Sequence, residues 1–281
     1  MKIAGIQYCA VADWRSNLAS LESLLDQVGF MAPDVLVLPE NVFSQGGDYR
    51  AMAEQHGDEL LGWLADTAQR LGVWLIAGSV PLATRIDGSA VPAPRVRAAQ
   101  LVFSPQGQQA ARYDKLHLFD VDVDDAHGRY TESTRFEPGD AVVLTNINGI
   151  STGLMICYDL RFPRLAQRLR DRGAELLVYP SAFTETTGRA HWELLLRARA
   201  VENGCYVLGV NQCGWHSATR QSYGHSMLVD PWGQIVNSLG ADSGVLMTEL
   251  NMDILHDIRR RLPVHDHQRL QVSLGDDLRE L

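Results

Sequence analysis

Four cysteines in 281 residues, at positions 9, 157, 205 and 213, are too few for a disulfide scaffold. No pair of them has the C-x-x-C spacing of a zinc or dithiol site. Such usage suits a reducing compartment, so we expect a cytoplasmic protein with no metal and no cofactor. Basic charge is scarce as well. The chain has 25 Lys and Arg against 34 Asp and Glu, a net charge of -9, and its one arginine triplet, Arg259-Arg260-Arg261, is short. With no basic stripe, a nucleic-acid partner is excluded. No apolar run approaches the roughly 20 residues that span a bilayer, which argues against a membrane partner. The opening Met1-Lys-Ile-Ala-Gly-Ile-Gln7 lacks the long apolar core of a secretory signal. A low-complexity linker is missing too, so residues 1–281 are read as one domain.

What is present alternates strand and helix. Residues 2–9 read as a strand, and 14–28 as a helix with Leu18, Leu21, Leu24, Leu25 and Val28 on one face. The apolar run Asp34-Val-Leu-Val-Leu38 suits a strand buried on both faces. A helix over 50–71, a strand over 73–77, a loop or hairpin rim over 82–96 and a strand over 99–103 follow. The second half repeats this order. Leu176-Leu-Val-Tyr179-Pro180 echoes Val35-Leu-Val-Leu38-Pro39, Asn203-Gly204-Cys205 echoes Leu71-Gly72-Val73, and Ser104-Pro-Gln-Gly107 returns as Asp230-Pro-Trp-Gly233. Two such halves predict two mixed sheets related by a pseudo-two-fold repeat, stacked as a four-layer α-β-β-α sandwich. The residues from about 251 read as a C-terminal arm lying across a partner subunit.

Polar residues at strand ends are where an open α/β fold collects its chemistry. Glu40 follows Leu36-Val-Leu-Pro39, Lys115 follows the strand near 101, and Cys157 ends Leu154-Met-Ile-Cys157 at a strand-to-helix turn. Amides at such a turn favour a thiolate. Taken singly, each has a plainer reading: a cysteine packs, a glutamate after a strand is solvated, a lysine in a polar segment lies on the surface.

Together they resemble something more specific. Leu38-Pro-Glu40-Asn, Tyr113-Asp-Lys115-Leu-His-Leu-Phe and Ile156-Cys157-Tyr-Asp-Leu-Arg-Phe match, in order, the three signatures of the carbon–nitrogen hydrolase (nitrilase) superfamily. The resemblance implies an α-β-β-α sandwich, homodimers paired through the helices, and a Glu40–Lys115–Cys157 triad. It further implies that Glu132, in Tyr130-Thr-Glu-Ser133, orients the lysine. The chain departs from the family at His127-Gly128, where Pro-Gly is usual. In these roles Glu40 takes the thiol proton, Cys157 attacks, and Lys115 with the Tyr158 backbone N–H supports the oxyanion. No histidine is needed as base, so His117, His191, His216 and His225 are read as structural. His265 and His267 in the polar tail are a weak metal pair.

The segments Pro180–Trp192 and Arg220–Gly233 resemble the Nit subgroup, whose branches hydrolyse deaminated glutathione or, as omega-amidases, α-ketoglutaramate. Such substrates need an anion-binding group. Arg161 is the candidate, with an ion pair to Asp159 as its alternative. Phe183, Thr184 and Thr187 are candidate pocket walls, and Gly188 is read as a turn. The competing functions are hydrolysis of N-carbamoyl amines or nitriles, a non-catalytic scaffold of the same fold, and a thiol redox protein using Cys205 and Cys213.

Overall fold

The computed structural model describes residues 1–270 and 278–281. Two six-stranded sheets form the centre. We number their strands β1 (Lys2–Gln7), β2 (Val35–Val37), β3 (Trp74–Leu82), β4 (Arg97–Phe103), β5 (Gln109–Asp114), β6 (Leu144–Ile147), β7 (Ile150–Leu154), β8 (Leu176–Ser181), β9 (Tyr206–Asn211), β10 (Met227–Val229), β11 (Ile235–Ser238) and β12 (Gly244–Glu249). The helices are α1 (Trp14–Met31), α2 (Tyr49–Leu71), α3 (Pro163–Asp171), α4 (Glu185–Asn203) and α5 (Met252–Arg261).

The first sheet runs β12-β1-β2-β3-β4-β5 and the second β6-β7-β8-β9-β10-β11. In both, the second, third and fourth strands are mutually parallel and the outer pairings are antiparallel. The internal repeat is therefore a repeat of topology, with one exchange. The strand that completes the first sheet, β12, comes from the end of the chain and pairs Lys2 with Glu249 through Gln7 with Gly244. The repeated turns share backbone geometry. Gly72 and Gly204 cap α2 and α4 in the left-handed region, and Gly107 and Gly233 close the β4–β5 and β10–β11 turns at φ +75° and +85°.

Side-chain alternation assigns the layers. Along β1 and β2, Ile3, Val35 and Val37 join the core between the sheets, while Ala4, Ile6 and Leu36 pack with Leu21, Leu25 and Leu64 of α1 and α2. On the other side Leu165, Leu169, Trp192 and Leu196 cover the second sheet from α3 and α4. Helix ends follow local chemistry. Asp13 accepts from the Arg15 and Ser16 amides to start α1, and Asp48 accepts from Ala51 to start α2.

Some sequence expectations change. The strand β5, not the one near 101, delivers Lys115. The segment Glu185–Trp192 belongs to α4, so Gly188 is helical and makes no turn; a Cβ there would lie 2.4 Å from Tyr223 Cβ, and close packing requires the glycine. Cys205 and Cys213 lie beyond opposite ends of β9, which at about 3.3 Å per residue precludes a redox pair. The supposed arm begins as α5, which buries Leu255 and Ile258 on this chain's own core. Arg279–Glu280 pairs with Ala141–Val142 of the same chain, and residues 271–277 of the expected arm lie outside the described residues.

Two glycines set the backbone of the site. A Cβ on Gly78 would lie 1.7 Å from the Pro39 carbonyl oxygen, and one on Gly139 would lie 2.1 Å from that of Asp114. Each lets a neighbouring segment press on the residue before a candidate catalytic group. Gly78→Ala is expected to destabilise the fold by at least the roughly 1–3 kcal/mol typical of overpacking and to lower activity, measured by thermal unfolding and by turnover.

Candidate active site

The four expected residues meet at the carboxyl-terminal rim of the strands. Glu40 stands three residues past β2, Lys115 directly follows β5, Cys157 lies just beyond β7, and Glu132 opens a short 3-10 helix at Glu132–Thr134. The Lys115 ammonium donates to Glu40 Oε1 at 2.8 Å and to both oxygens of Glu132 at 2.8 and 2.9 Å. Lys115 is 2% and Glu40 4% exposed, so these charges are almost out of water. The second sheet completes the shell around Glu40. The Ala182 N–H, past β8, donates to Glu40 Oε2 at 2.8 Å, and Gln212, past β9, donates to the Glu40 carbonyl.

Burial disfavours charge on Lys115, but Glu132 and Glu40 overcome it and hold the ammonium's pKa well above its ordinary value. Burial raises the Glu132 carboxyl, with Lys115 pulling the other way. Cys157 differs from expectation. Burial first, then the negative charge of Glu40, pushes the thiol well above the usual cysteine value, against the pull of Lys115. The helix that follows is a single 3-10 segment, Cys157–Arg161, before α3 begins at Pro163. Its few amides do not offset that burial, so the surroundings favour the thiol over the thiolate.

Cys157 has φ +45°, in the left-handed region that a side chain enters at a cost of order 1–3 kcal/mol. Asp159 holds this turn. Its fully buried carboxylate accepts from the Ile156 N–H at 2.8 Å, the Tyr113 hydroxyl at 2.7 Å and the His117 N–H at 3.2 Å, and it meets the His117 ring at 2.7 Å. With His117 stacked on Phe162 at 3.6 Å, that histidine is structural, as expected. The Tyr158 N–H lies in the first turn of the short helix, where amides lack an intrahelical acceptor.

Above the cluster opens a cavity of about 340 Å³. Phe183, Thr184, Thr187 and Arg161 all line it. Thr184 also caps α4. Arg161 does not pair with Asp159. Its guanidinium lies 3.2 Å from His191 Nδ1 and 5.0 Å over the Phe183 ring, and among the described residues it has no carboxylate partner. His216 lines the cavity as well, buried between the Ala10 carbonyl and the Ser222 hydroxyl, and its pKa is pushed down to about 4 by burial. His265 bonds to Asp171, and no group of three metal-ligating side chains occurs among the described residues. No helix of the described residues is long and apolar enough to cross a membrane.

Sequence reasoning missed Asp159, Gln45, Phe119, Tyr130 and Arg220. Asp159 and Phe119 stood inside quoted signatures, and Arg220 opened a segment noted only for its likeness to a subgroup. The departing His127 also lines the cavity.

A sandwich with this buried acid–base–thiol cluster defines a class. Residues 2–260 match the model of the carbon–nitrogen hydrolase family, and the chain belongs to that family. It is an amidase of the nitrilase superfamily. Its curated relatives include a deaminated glutathione amidase of Yersinia enterocolitica, 41% identical over 275 residues, covering 97% of this chain and 94% of that protein. Among solved structures, the Caenorhabditis elegans NitFhit protein superposes with a TM-score of 0.86 at 34% identity, over 95% of this chain and 65% of that one. A glutamate-to-glutamine mutant of a Nesterenkonia amidase, carrying acrylamide on its active-site cysteine, matches with a TM-score of 0.75 at 25% identity, over 94% and 99% of the two chains.

The protonated thiol has a kinetic consequence. An ordinary cysteine ionises at roughly pH 8–9. Across that range kcat/KM for an amide is expected to change by no more than about twofold if the neutral thiol passes its proton to Glu40 as it attacks. A rise approaching tenfold per pH unit, measured in a pH–rate profile, would mean that the small free-thiolate fraction of the raised thiol carries the reaction without that transfer.

Proposed function

We propose that the protein hydrolyses the amide of a carboxylate-bearing keto acid, with deaminated glutathione as its substrate, through a thioester on Cys157. The observation that carries the reading is the shared ammonium: Lys115 binds Glu40 and Glu132 at once, beside the Cys157 thiol. Glu40 takes the thiol proton as the sulfur–carbon bond forms. Lys115 and the Tyr158 N–H receive the oxyanion, an arrangement in which losing one donor costs about two to three orders of magnitude in rate. As the carbon–nitrogen bond breaks, the acid Glu40 returns that proton to the departing amine. Water, deprotonated by Glu40, then attacks the thioester and releases the acid, restoring the thiol. Glu132 acts through Lys115, fixing its position with two hydrogen bonds. In this reading Arg161, which lines the cavity without a carboxylate partner among the described residues, binds the keto-acid carboxylate.

We also propose that two copies pair through their outer helices. Leu194 and Val201 on α4 are 66% and 45% exposed, and Trp232, in the β10–β11 turn, and Ile254, on α5, are exposed as well. Sedimentation should give twice the chain's 31.1 kDa mass; a monomer at micromolar concentration would refute the pairing.

Ammonia or amine release from deaminated glutathione, α-ketoglutaramate, a carbamoyl amino acid and a nitrile tests the substrate. The first is expected to react best. Reaction of only the last two would overturn the substrate assignment, and reaction of none would leave the scaffold reading. Cys157→Ala should abolish turnover with an unchanged circular dichroism spectrum. Glu40→Gln should keep its fold and lose about 10²–10⁴ in rate, the range for a general base; wild-type rates in either variant would refute the triad.

A further inference from the structure

Three guanidinium groups line the cavity without a carboxylate partner among the described residues, Arg135, Arg161 and Arg220; Arg135 is exposed to solvent, and the other two are partly buried. Arg220 sits at the turn of a two-stranded ribbon, Cys213–Trp215 with Gln221–Tyr223, closed by the His216 N–H donating to the Arg220 carbonyl. Its side chain is held by a neutral group. With the Gln45 amide oriented to satisfy its neighbours, the amide oxygen lies 2.7 Å from Arg220 Nε. The turn is tied across the cavity mouth by His127 Nδ1, 3.3 Å from Thr219 Oγ1. A cation fixed by neutral partners and facing a cavity keeps its charge available to an anion.

The two partly buried arginines stand at opposite ends of an aromatic arc. The Arg220 guanidinium lies 5.5 Å over Tyr130, whose ring is 5.1 Å from Phe119; Phe119 is 5.0 Å from Tyr158, and Arg161 is 6.0 Å from Tyr158. The reacting cluster lies under this arc. The Phe119 N–H donates to Glu132 at 2.6 Å, and Tyr158 directly follows Cys157. A molecule extended along the arc with its amide at Cys157 meets Arg161 on one side and Arg220 on the other. Arg161 shares the short helix of Cys157, so it serves the acyl part that stays on sulfur. Arg220, on a separate ribbon, serves the part that leaves.

We infer that Arg220 binds a carboxylate on the leaving-amine side of the scissile amide, so that the site selects amides with an anionic group at each end. This rests on the amidase reading proposed above and sharpens it. Deaminated glutathione has a keto-acid carboxylate on the acyl side and a glycine carboxylate on the amine side. α-Ketoglutaramate, which releases ammonia, has only the first.

The test compares kcat/KM for deaminated glutathione and for its analogue with the glycine carboxylate converted to a carboxamide. In the wild type the ratio is expected to be roughly ten to a hundred, the range for losing a charge-assisted hydrogen bond. In Arg220→Gln it should fall to near one, and in Arg220→Lys to an intermediate value, with thermal unfolding reporting that the variants are folded. Arg161→Gln should slow both substrates and keep the ratio. A wild-type ratio near one, or a ratio that Arg220→Gln leaves unchanged, overturns the inference while the amidase reading stands. Hydrolysis of α-ketoglutaramate with neither longer amide turned over overturns the substrate assignment and this inference together.

Discussion

The Lys115 ammonium sits between the carboxylates of Glu40 and Glu132 in a region almost closed to water, and the site's electrostatics follow from that grouping. Burying an ion costs several kcal/mol, and a partner repays this only when its geometry is good. Here one cation serves two acids, and Glu40 also acts on the Cys157 sulfur. The two glutamates keep the lysine protonated, while burial first and the Glu40 charge second favour the protonated thiol. In the proposed reaction the base and the nucleophile therefore start as a carboxylate and a neutral thiol, and charge separates only when a carbonyl is there to receive the electrons. The protein need not maintain an exposed thiolate, which would be open to oxidation.

Holding that cluster is a task for the whole sandwich. Glu40 and Lys115 come from the first sheet, Cys157 from the second, and the amide that fixes Glu40 Oε2 belongs to Ala182 at the end of β8. Glycines at 78 and 139 let the backbone approach the residues preceding Glu40 and Lys115 more closely than any side chain allows. Asp159 does for Cys157 what these glycines do for the other two. It gathers the amides and hydroxyl around a turn whose nucleophile sits at positive φ. Strain of that kind persists where the surroundings over-determine it, and a fully buried carboxylate with four contacts does so.

Charge is distributed just as unevenly around the cavity. The chain as a whole is acidic at -9, yet arginines gather at this mouth, two of them set at the ends of a row of aromatic rings. Confined cations in a low-dielectric wall focus the field on an anionic substrate although the surface beyond repels it.

The periodic runs of apolar residues were sufficient for the layers and for the repeat, because strand alternation and helical spacing depend on neighbours in the chain. The signatures around Glu40, Lys115 and Cys157 were legible for a similar reason: each is a short local segment at a strand end. Less legible was whatever depends on distant segments meeting. The return of β12 to the first sheet, the close approach of Gly188 to Tyr223, the tie of Asp159 to Tyr113 and His117, and the convergence of Gln45, Tyr130 and Arg220 involve residues tens to hundreds of positions apart. The state of the sulfur was likewise decided by the tertiary structure. Local sequence placed Cys157 at a helix start, which favours a thiolate, whereas burial beside a carboxylate from the opposite sheet favours a thiol, and desolvation near a like charge outweighs the amides of a single short turn.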